Sequence, residues 1–499
     1  MNEPFIRLRN ISKSFAGVKA LKNIGLEICP GEIHCLIGEN GCGKSTLIKI
    51  ISGVYAPDSG TIELDGRLIK HMTPKEAMKN GIEVIYQDFS VFPNLTVAEN
   101  ISLNTQITEK QKVVNWNKIR VQAQAALDKI GVSIPLYETV EHLSVANRQL
   151  IAISRAIAHN ARLLIMDEPT TALTQREVDA LFQVVCGLNK EGISVIFVSH
   201  KLDEVMQLSQ KIMIIRNGET AAEGNIEDFT KEKIIYYMTG RELAGTSYEV
   251  PAGSQAKTVL KVDNISQKGG FHNVSFELRE HEIIGVTGLL GSGRTALANA
   301  LFGIHRIDSG EIHMDGKKIK LRNVRSAVKS GIAYVPEDRL TEGLFLEQSI
   351  GRNLTITVLD KLKKKSGALD RAKGKSISQY WIEKLHIKTA SEELPARALS
   401  GGNQQKIVIA KWLAKQPKVL ILNGPTVGVD IAAKTDIIEL IKSLAQDNMS
   451  ILLVSDDVSE IMMCCNRVML MKNGRITEEF KTSDITEKML YEKVRMQEV

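Results

Sequence analysis

The chain has 499 residues, of which 43% are hydrophobic and 24% charged, and a formal net charge of +6. That length holds two or more domains with cores of their own, and the composition is that of an ordinary globular protein. A charge so small for the size gives no argument for nucleic acid, though it is compatible with an anionic ligand or a membrane surface.

No apolar run approaches the roughly 18 residues of a membrane-spanning helix. The opening Met-Asn-Glu-Pro lacks the charged and apolar regions of a signal peptide, so the expectation is a cytoplasmic chain. The six cysteines, at 29, 35, 42, 186, 464 and 465, show neither zinc-ligand nor disulfide-framework spacing. Most are expected to be small buried hydrophobes. Cys42, inside a glycine loop at a helix start, is expected to be an accessible thiol.

In chain order, Phe5-Ile6-Arg7-Leu8-Arg9-Asn10-Ile11 alternates as a strand, a turn follows at Ala16-Gly17, and Leu26-Glu27-Ile28 precedes a Pro30-Gly31 turn. The apolar run Ile33 to Ile37 then leads into Gly38-Glu39-Asn40-Gly41-Cys42-Gly43-Lys44-Ser45-Thr46, with Leu47, Ile48 and Ile50 behind it at helical spacing. Strand, glycine loop and helix in that order are the context in which G-x-x-x-x-G-K-[ST] is a phosphate site. Glycines let backbone amides converge on an anion, and the new helix aims its positive end at the same point. Lys44 would reach the β and γ phosphates and Ser45 would ligate Mg²⁺.

The second half repeats the first. Residues 53 to 66, from Gly53 to Gly66, recur at 303 to 316, an offset of 303 − 53 = 250. The same offset relates Gly38 to Gly288 and Gln87 to Glu337. Further on, Leu143-Ser144 matches Leu399-Ser400 and Asp167 matches Asn423 at an offset of 256. The extra residues fall between 338 and 399, where the lysine-rich stretch Lys361 to Lys375 is expected to be a solvated loop. The chain is therefore an α/β unit duplicated in tandem, with 1–243 and 258–499 as the two domains and a polar linker at 244–257.

The ordered set of motifs resembles the ATP-binding cassette (ABC) ATPases: phosphate loop, Gln87, a helical insertion over 88–150, an LSGGQ-like signature, an apolar strand ending in Asp167-Glu168, and a strand ending in His200. The tandem pattern with Arg294 in the second phosphate loop looks like the ATP-binding subunits of bacterial monosaccharide importers. The resemblance implies two cassettes, each a mixed-sheet RecA-like core with a helical subdomain and an N-terminal antiparallel β subdomain. It implies ATP and Mg²⁺ as ligands, separate membrane permease subunits, an external solute-binding protein, and a peripheral place on the cytoplasmic face of the cell membrane.

Individual roles follow. Leu163 to Met166 would deliver Asp167 to a strand end, where it holds Mg²⁺ through water while Glu168 orients or deprotonates the attacking water. His200 is either a structural histidine or, after its apolar strand, a donor to the γ-phosphate. Gln87 would sense nucleotide and Mg²⁺ and link the site to the helical insertion. Phe15 is either an adenine platform or core packing.

In this family two cassettes face head to tail, so Ser400, Gly401, Gly402 and Asn403 of the second half would complete the nucleotide site of Lys44. Leu143-Ser144-Val145-Ala146-Asn147 in the first half is degenerate, since Val145 and Ala146 carry Cβ atoms where backbone should approach phosphate. Its partner loop has Gly288, Gly293, Arg294 and Thr295, with Asn423 for Asp167, Gly424 for Glu168, Asp456 for His200 and Glu337 for Gln87. These changes place hydrolysis in the first half's site; Arg294, Thr295 and the glycine amides could still hold a nucleotide. The competing reading is a tandem cassette acting on ribosomes or another nucleoprotein, against which stand the short linker, the modest charge and the one-sided losses.

Overall fold

Alternation and apolar runs produce two kinds of sheet in each half. The computed structural model describes residues 3–15, 17–69, 72–86, 91–109, 113–171, 173–199, 201–240, 248–250 and 257–495. Its chain divides into two units at 243/244.

In the first unit the half-buried strands β1 (Ile6–Phe15), β2 (Val18–Ile28), β4 (Ser59–Leu64) and β5 (Arg67–Ile69) form an antiparallel sheet in the order β2-β1-β4-β5. One face is buried and the other wet, hence the alternation. A six-stranded sheet has the order β10-β9-β3-β8-β7-β6, from β3 (Ile33–Gly38), β6 (Ile82–Ile85), β7 (Leu163–Asp167), β8 (Ser194–Val198), β9 (Lys211–Arg216) and β10 (Glu219–Asn225). All pairs but β9 with β10 are parallel. Its inner strands are buried on both faces and therefore read as continuous apolar runs. Helices Val97–Glu109, Trp116–Lys129 and Val145–Ala158 pack Val97, Ile101, Ile119, Leu127 and Ile151 into a core of their own, which makes the insertion a helical subdomain.

The second unit repeats both sheets. Strands β11 (Thr258–Gln267), β12 (Phe271–Arg279), β14 (Ser309–Met314) and β15 (Lys317–Ile319) have the order β12-β11-β14-β15. Strands β13 (Ile283–Thr287), β16 (Ile332–Val335), β17 (Val419–Asn423), β18 (Ser450–Val454), β19 (Arg467–Lys472) and β20 (Arg475–Lys481) have the order β16-β17-β18-β13-β19-β20.

Two local expectations change. The lysine-rich stretch is not a loop throughout: helix Leu359–Leu362 leads to a turn bridged by Lys363 and Leu369, and helix Arg371–Lys384 begins within it. Asp370 starts that helix by accepting a hydrogen bond from the Lys373 amide at 3.1 Å. Within the expected linker, Tyr248 is buried in the second unit, its hydroxyl donating to the His281 carbonyl at 3.0 Å and its own carbonyl accepting from Asn466 at 2.7 Å.

Candidate nucleotide sites

β3 lies between β8 and β9, so Gly38 leaves the middle of the sheet at its carboxyl edge and the loop turns directly into helix Lys44–Ile51. No side chain caps this helix, which leaves its first amides available to an anion. The Lys44 ammonium is buried and donates to the carbonyls of Gly38 at 2.6 Å and Glu39 at 2.9 Å, holding it across the loop. Ser45 is exposed and Thr46 half-buried at the helix start. Cys42 corrects the sequence expectation: it is only 6% exposed, packed into the core beneath the loop, and burial raises its thiol pKa. It faces inward, its sulfur packed over Gly38, where a Cβ would lie only 2.4 Å from Sγ.

β7 ends on Asp167, half-buried beside β8, and burial followed by the charge of Glu168 raises the Asp167 pKa above the ordinary carboxylate value. Glu168 has φ +49°, the left-handed region that a side chain disfavours, while its amide keeps a bond to the Val198 carbonyl at 3.0 Å. Next to it lies a network that no motif announces. Glu204, buried, accepts from the hydroxyls of Ser199 at 2.7 Å and Thr170 at 2.8 Å and pairs with Lys201 at 3.1 Å. These bonds tie the turns after β7 and β8 together. Gln87 and His200 lie outside the described residues. Phe15 is not core: it is 39% exposed, edge-on to Tyr55 at 5.2 Å, with Lys13 5.6 Å from its ring.

In the second unit Gly288 and Gly293 shape a matching loop, and Arg294 and Thr295 open helix Arg294–Leu301. Arg294 is buried, donates to the Gly288 carbonyl and pairs with Asp456 at 3.3 Å. Asn423 is buried and donates to the Tyr334 hydroxyl at 3.3 Å. Gly424 has φ +56° and its amide bonds the Val454 carbonyl at 2.8 Å, the geometry of Glu168 without the side chain.

The two signatures differ in how their helices start. Ser144 caps helix Val145–Ala158 by accepting from the Asn147 amide at 3.2 Å. Ser400 makes no such cap; its hydroxyl accepts from the Asn403 side chain at 2.9 Å, leaving the first amides of helix Gly401–Leu413 uncapped by it. Gly402 is also a packing necessity, because a Cβ there would sit 2.4 Å from that of Ala433. Arg339, which sequence reasoning passed over, donates to the carbonyls of Val427 at 2.7 Å and Gly428 at 2.8 Å and braces this turn.

A cleft of about 220 Å³ opens in the first unit beside Tyr86, lined by Ser52, Val84, Asn104, Arg155 and Ala156 among others. At the positions matching Ser52, Val84 and Ala156 the second unit has Phe302, Tyr334 and Trp412. There Phe302 stacks on Tyr334 at 5.2 Å and meets Trp412 edge-on at 5.3 Å.

This geometry agrees with what the chain is similar to. The ABC transporter family model matches residues 21–171 and 271–427, one match in each half. The chain belongs to the ABC transporter ATPases. A ribose import ATP-binding protein of Geobacillus kaustophilus is 41% identical over 94% of this chain and 95% of its own length. Its counterpart in Bacillus subtilis is 40% identical over 97% and 98%, and one in Streptomyces avermitilis 40% over 97% and 95%. None of these supports the nucleoprotein-acting reading. Membership makes the chain an ATP-binding, ATP-hydrolysing protein with two cassettes in one polypeptide. Among the described residues no helix is long and apolar enough to cross a membrane.

Proposed function

We infer that this protein is the ATP-hydrolysing subunit of a monosaccharide importer, ribose being the solute named for its relatives, and that one of its two nucleotide sites carries the turnover. The observation behind the one-site reading is the distribution of parts. Lys44, Asp167 and Glu168 stand in one half, and the uncapped Ser400 helix, which supplies the signature, stands in the other.

Lys44 and the loop amides bind the phosphates of ATP, and Phe15 offers an aromatic face to adenine. Glu168 takes a proton from, or orients, the attacking water, and His200 donates to the terminal phosphate. Ser400, Gly401, Gly402 and Asn403 close over the same nucleotide in a head-to-tail sandwich of the two halves. Mg²⁺ fits the donor set, since the Ser45 hydroxyl, Asp167 carboxylate and Gln87 amide are the hard oxygen ligands it takes. When bound it neutralises charge on the phosphate oxygens. Among the described residues no group of three or more His, Cys, Asp or Glu forms a metal cage of its own, which suits an ion shared with the nucleotide.

With residues 244–257, anchored to the second unit at Tyr248, joining domains 1–243 and 258–499, closure on ATP and reopening after hydrolysis would pass to membrane permease subunits through residues 87–100 and the neighbouring cleft. A solute-binding protein outside would deliver the sugar, and the chain itself would sit on the cytoplasmic face of the membrane. Steady-state ATPase of the full chain tests the reading: Glu168→Gln lowers it by about 10²-fold or more, whereas Arg294→Ala keeps most of it. Equal losses in the two variants refute the one-site assignment.

A further inference from the structure

An arginine braces each signature helix, but from a different place in each half. In the first half Arg148, the fourth residue of helix Val145–Ala158, turns back to the carbonyls of Val140 at 3.2 Å and Glu141 at 2.8 Å, just before its own helix. The matching residue of helix Gly401–Leu413 is Gln404, and the guanidinium comes instead from Arg339, in the turn after β16. That turn carries an insertion. Asn100 accepts from the Phe92 amide at 2.8 Å and donates to its carbonyl at 2.9 Å, and Asn353 holds Phe345 in the same way at 2.9 and 3.0 Å. Asp88 matches Asp338 at an offset of 250 and Phe92 matches Phe345 at 253, an excess of 253 − 250 = 3 residues in the second half. They are taken up in a single π-helical turn, Arg339–Gly343, which starts on Asp338, whose carboxylate accepts from the amides of Leu340 at 2.9 Å and Thr341 at 3.1 Å. Such turns are rare and tend to stand at functional sites. Between Asp88 and Phe92 the first half has Phe89, Ser90 and Val91, none of them basic.

The π turn is fastened to the signature helix at both of its ends. At one end the two outer nitrogens of Arg339 take the neighbouring carbonyls of Val427 and Gly428, in the turn between β17 and helix Ile431–Gln446, and its Nε lies 3.4 Å from the Gln404 side-chain oxygen. A planar fork suits two adjacent acceptors, which a lysine ammonium does not match. A Cβ built on Gly401 would lie 2.8 Å from this guanidinium and 3.1 Å from the Gly428 carbonyl oxygen, so the helix opens on a glycine where Arg339 and the β17 turn close over it. At the other end the Gly343 carbonyl accepts from the buried Lys411 ammonium, and a Cβ on Gly343 would lie 3.1 Å from the Val408 side chain. Arg339 thus joins the turn after β16, the turn after β17 and the start of the signature helix.

We propose that Arg339 is a positioning residue for ATP turnover: it fixes the start of helix Gly401–Leu413, and so the Ser400 hydroxyl and the free amides that close over the nucleotide held by Lys44. This rests on the reading that the second half's signature completes the first half's site, and it adds the residue that sets the signature in place. The turn after β16 is the counterpart of residues 87–92, so Arg339 also gives the half without turnover a hold on the site that has it. A guanidinium is needed here because the element being held carries no side-chain cap of its own.

Steady-state ATPase of the full chain tests it, with binding of the fluorescent diphosphate mant-ADP measured alongside. Arg339→Ala should lower kcat by at least about tenfold, the scale of loss that a misplaced reacting or binding group brings. Half-saturation by mant-ADP, which does not need the signature, should stay within about twofold of the wild type. Arg339→Lys keeps the charge but not the fork, and its kcat should remain at least about threefold below the wild type. In a Ser400→Ala chain, which keeps the helix amides, adding Arg339→Ala should cost less than about a further threefold, because both changes act on one element. A general structural defect would instead multiply in full. The proposal is overturned by an Arg339→Ala kcat within twofold of the wild type, by a full tenfold loss repeated in the Ser400→Ala chain, by mant-ADP binding that weakens in step with kcat, or by full activity in Arg339→Lys. Failure of the underlying reading would show separately, as a Ser400→Ala kcat equal to the wild type.

Discussion

The turns after the strand pairs β7/β8 and β17/β18 are the same structure carrying opposite chemistry. Glu168 and Gly424 share a left-handed backbone and the same amide bond to the neighbouring strand. Around them the charges have been redistributed. In the first unit Lys201 pairs with the buried Glu204. In the second, Asp457 replaces that lysine, and Lys434 on helix Ile431–Gln446 supplies the missing cation by pairing with Asp457. Glu460, the counterpart of Glu204, is left with hydroxyls, accepting from Ser455 at 2.5 Å, and one of its oxygens has no partner. The backbone of the site is thus set by the sheet, whereas its charges differ between the two halves.

The largest predicted effect tests that redistribution through pH. Burial, then the charge of Asp457, raises Glu460 from 4.5 to about 7. A carboxyl whose folded pKa is raised penalises the folded state wherever it is ionised. The penalty is absent below about pH 4.5, grows as pH rises and is complete above about 7, reaching on the order of 3 kcal/mol. Glu460→Gln should therefore raise the unfolding temperature of the full chain more at pH 8 than at pH 5. A variant whose gain is the same at both pH values would show that Glu460 is not held neutral in the fold.

The clefts sharpen the comparison next. Phe302, Tyr334 and Trp412 fill in the second unit what Ser52, Val84 and Ala156 leave open in the first. If the open cleft receives a permease segment, Ala156→Trp blocks it in the way the second half already does. Solute moved per ATP hydrolysed in reconstituted vesicles should drop by roughly an order of magnitude, equivalent to about 1.4 kcal/mol of docking free energy. Coupling equal to the wild type would remove the cleft from the transport path.

Much of this was legible in the residues themselves. The fold follows from runs such as Ile33 to Ile37, because strands buried on both faces must be apolar throughout, and from glycine loops that only a strand-to-helix turn explains. The duplication was visible as repeated spacing. What escaped is what depends on contacts far apart in sequence. Cys42 points inward because the core lies beneath its loop, which local pattern does not reveal. Lys434 compensating Asp457, and Glu204 bonding Thr170, each link residues more than 20 positions apart. Asp456 was legible as the residue standing where the first half has His200; its pairing with Arg294 required the geometry.

The smallest effect isolates backbone from side chain. Holding a glutamate at φ +49° costs on the order of 1 kcal/mol relative to glycine, and the second half, with Gly424 at φ +56°, has no such cost. Glu168→Gly should raise the unfolding temperature by about 2–4 °C while abolishing hydrolysis. Glu168→Gln supplies the control. Both variants remove the charge that raises Asp167, but only glycine relaxes the backbone, so the stability gained by glycine over glutamine is the strain relieved less the side-chain contacts and unfolded-chain entropy that glycine gives up. If glycine melts at or below glutamine, relief of the left-handed turn does not outweigh those losses and the predicted gain is refuted.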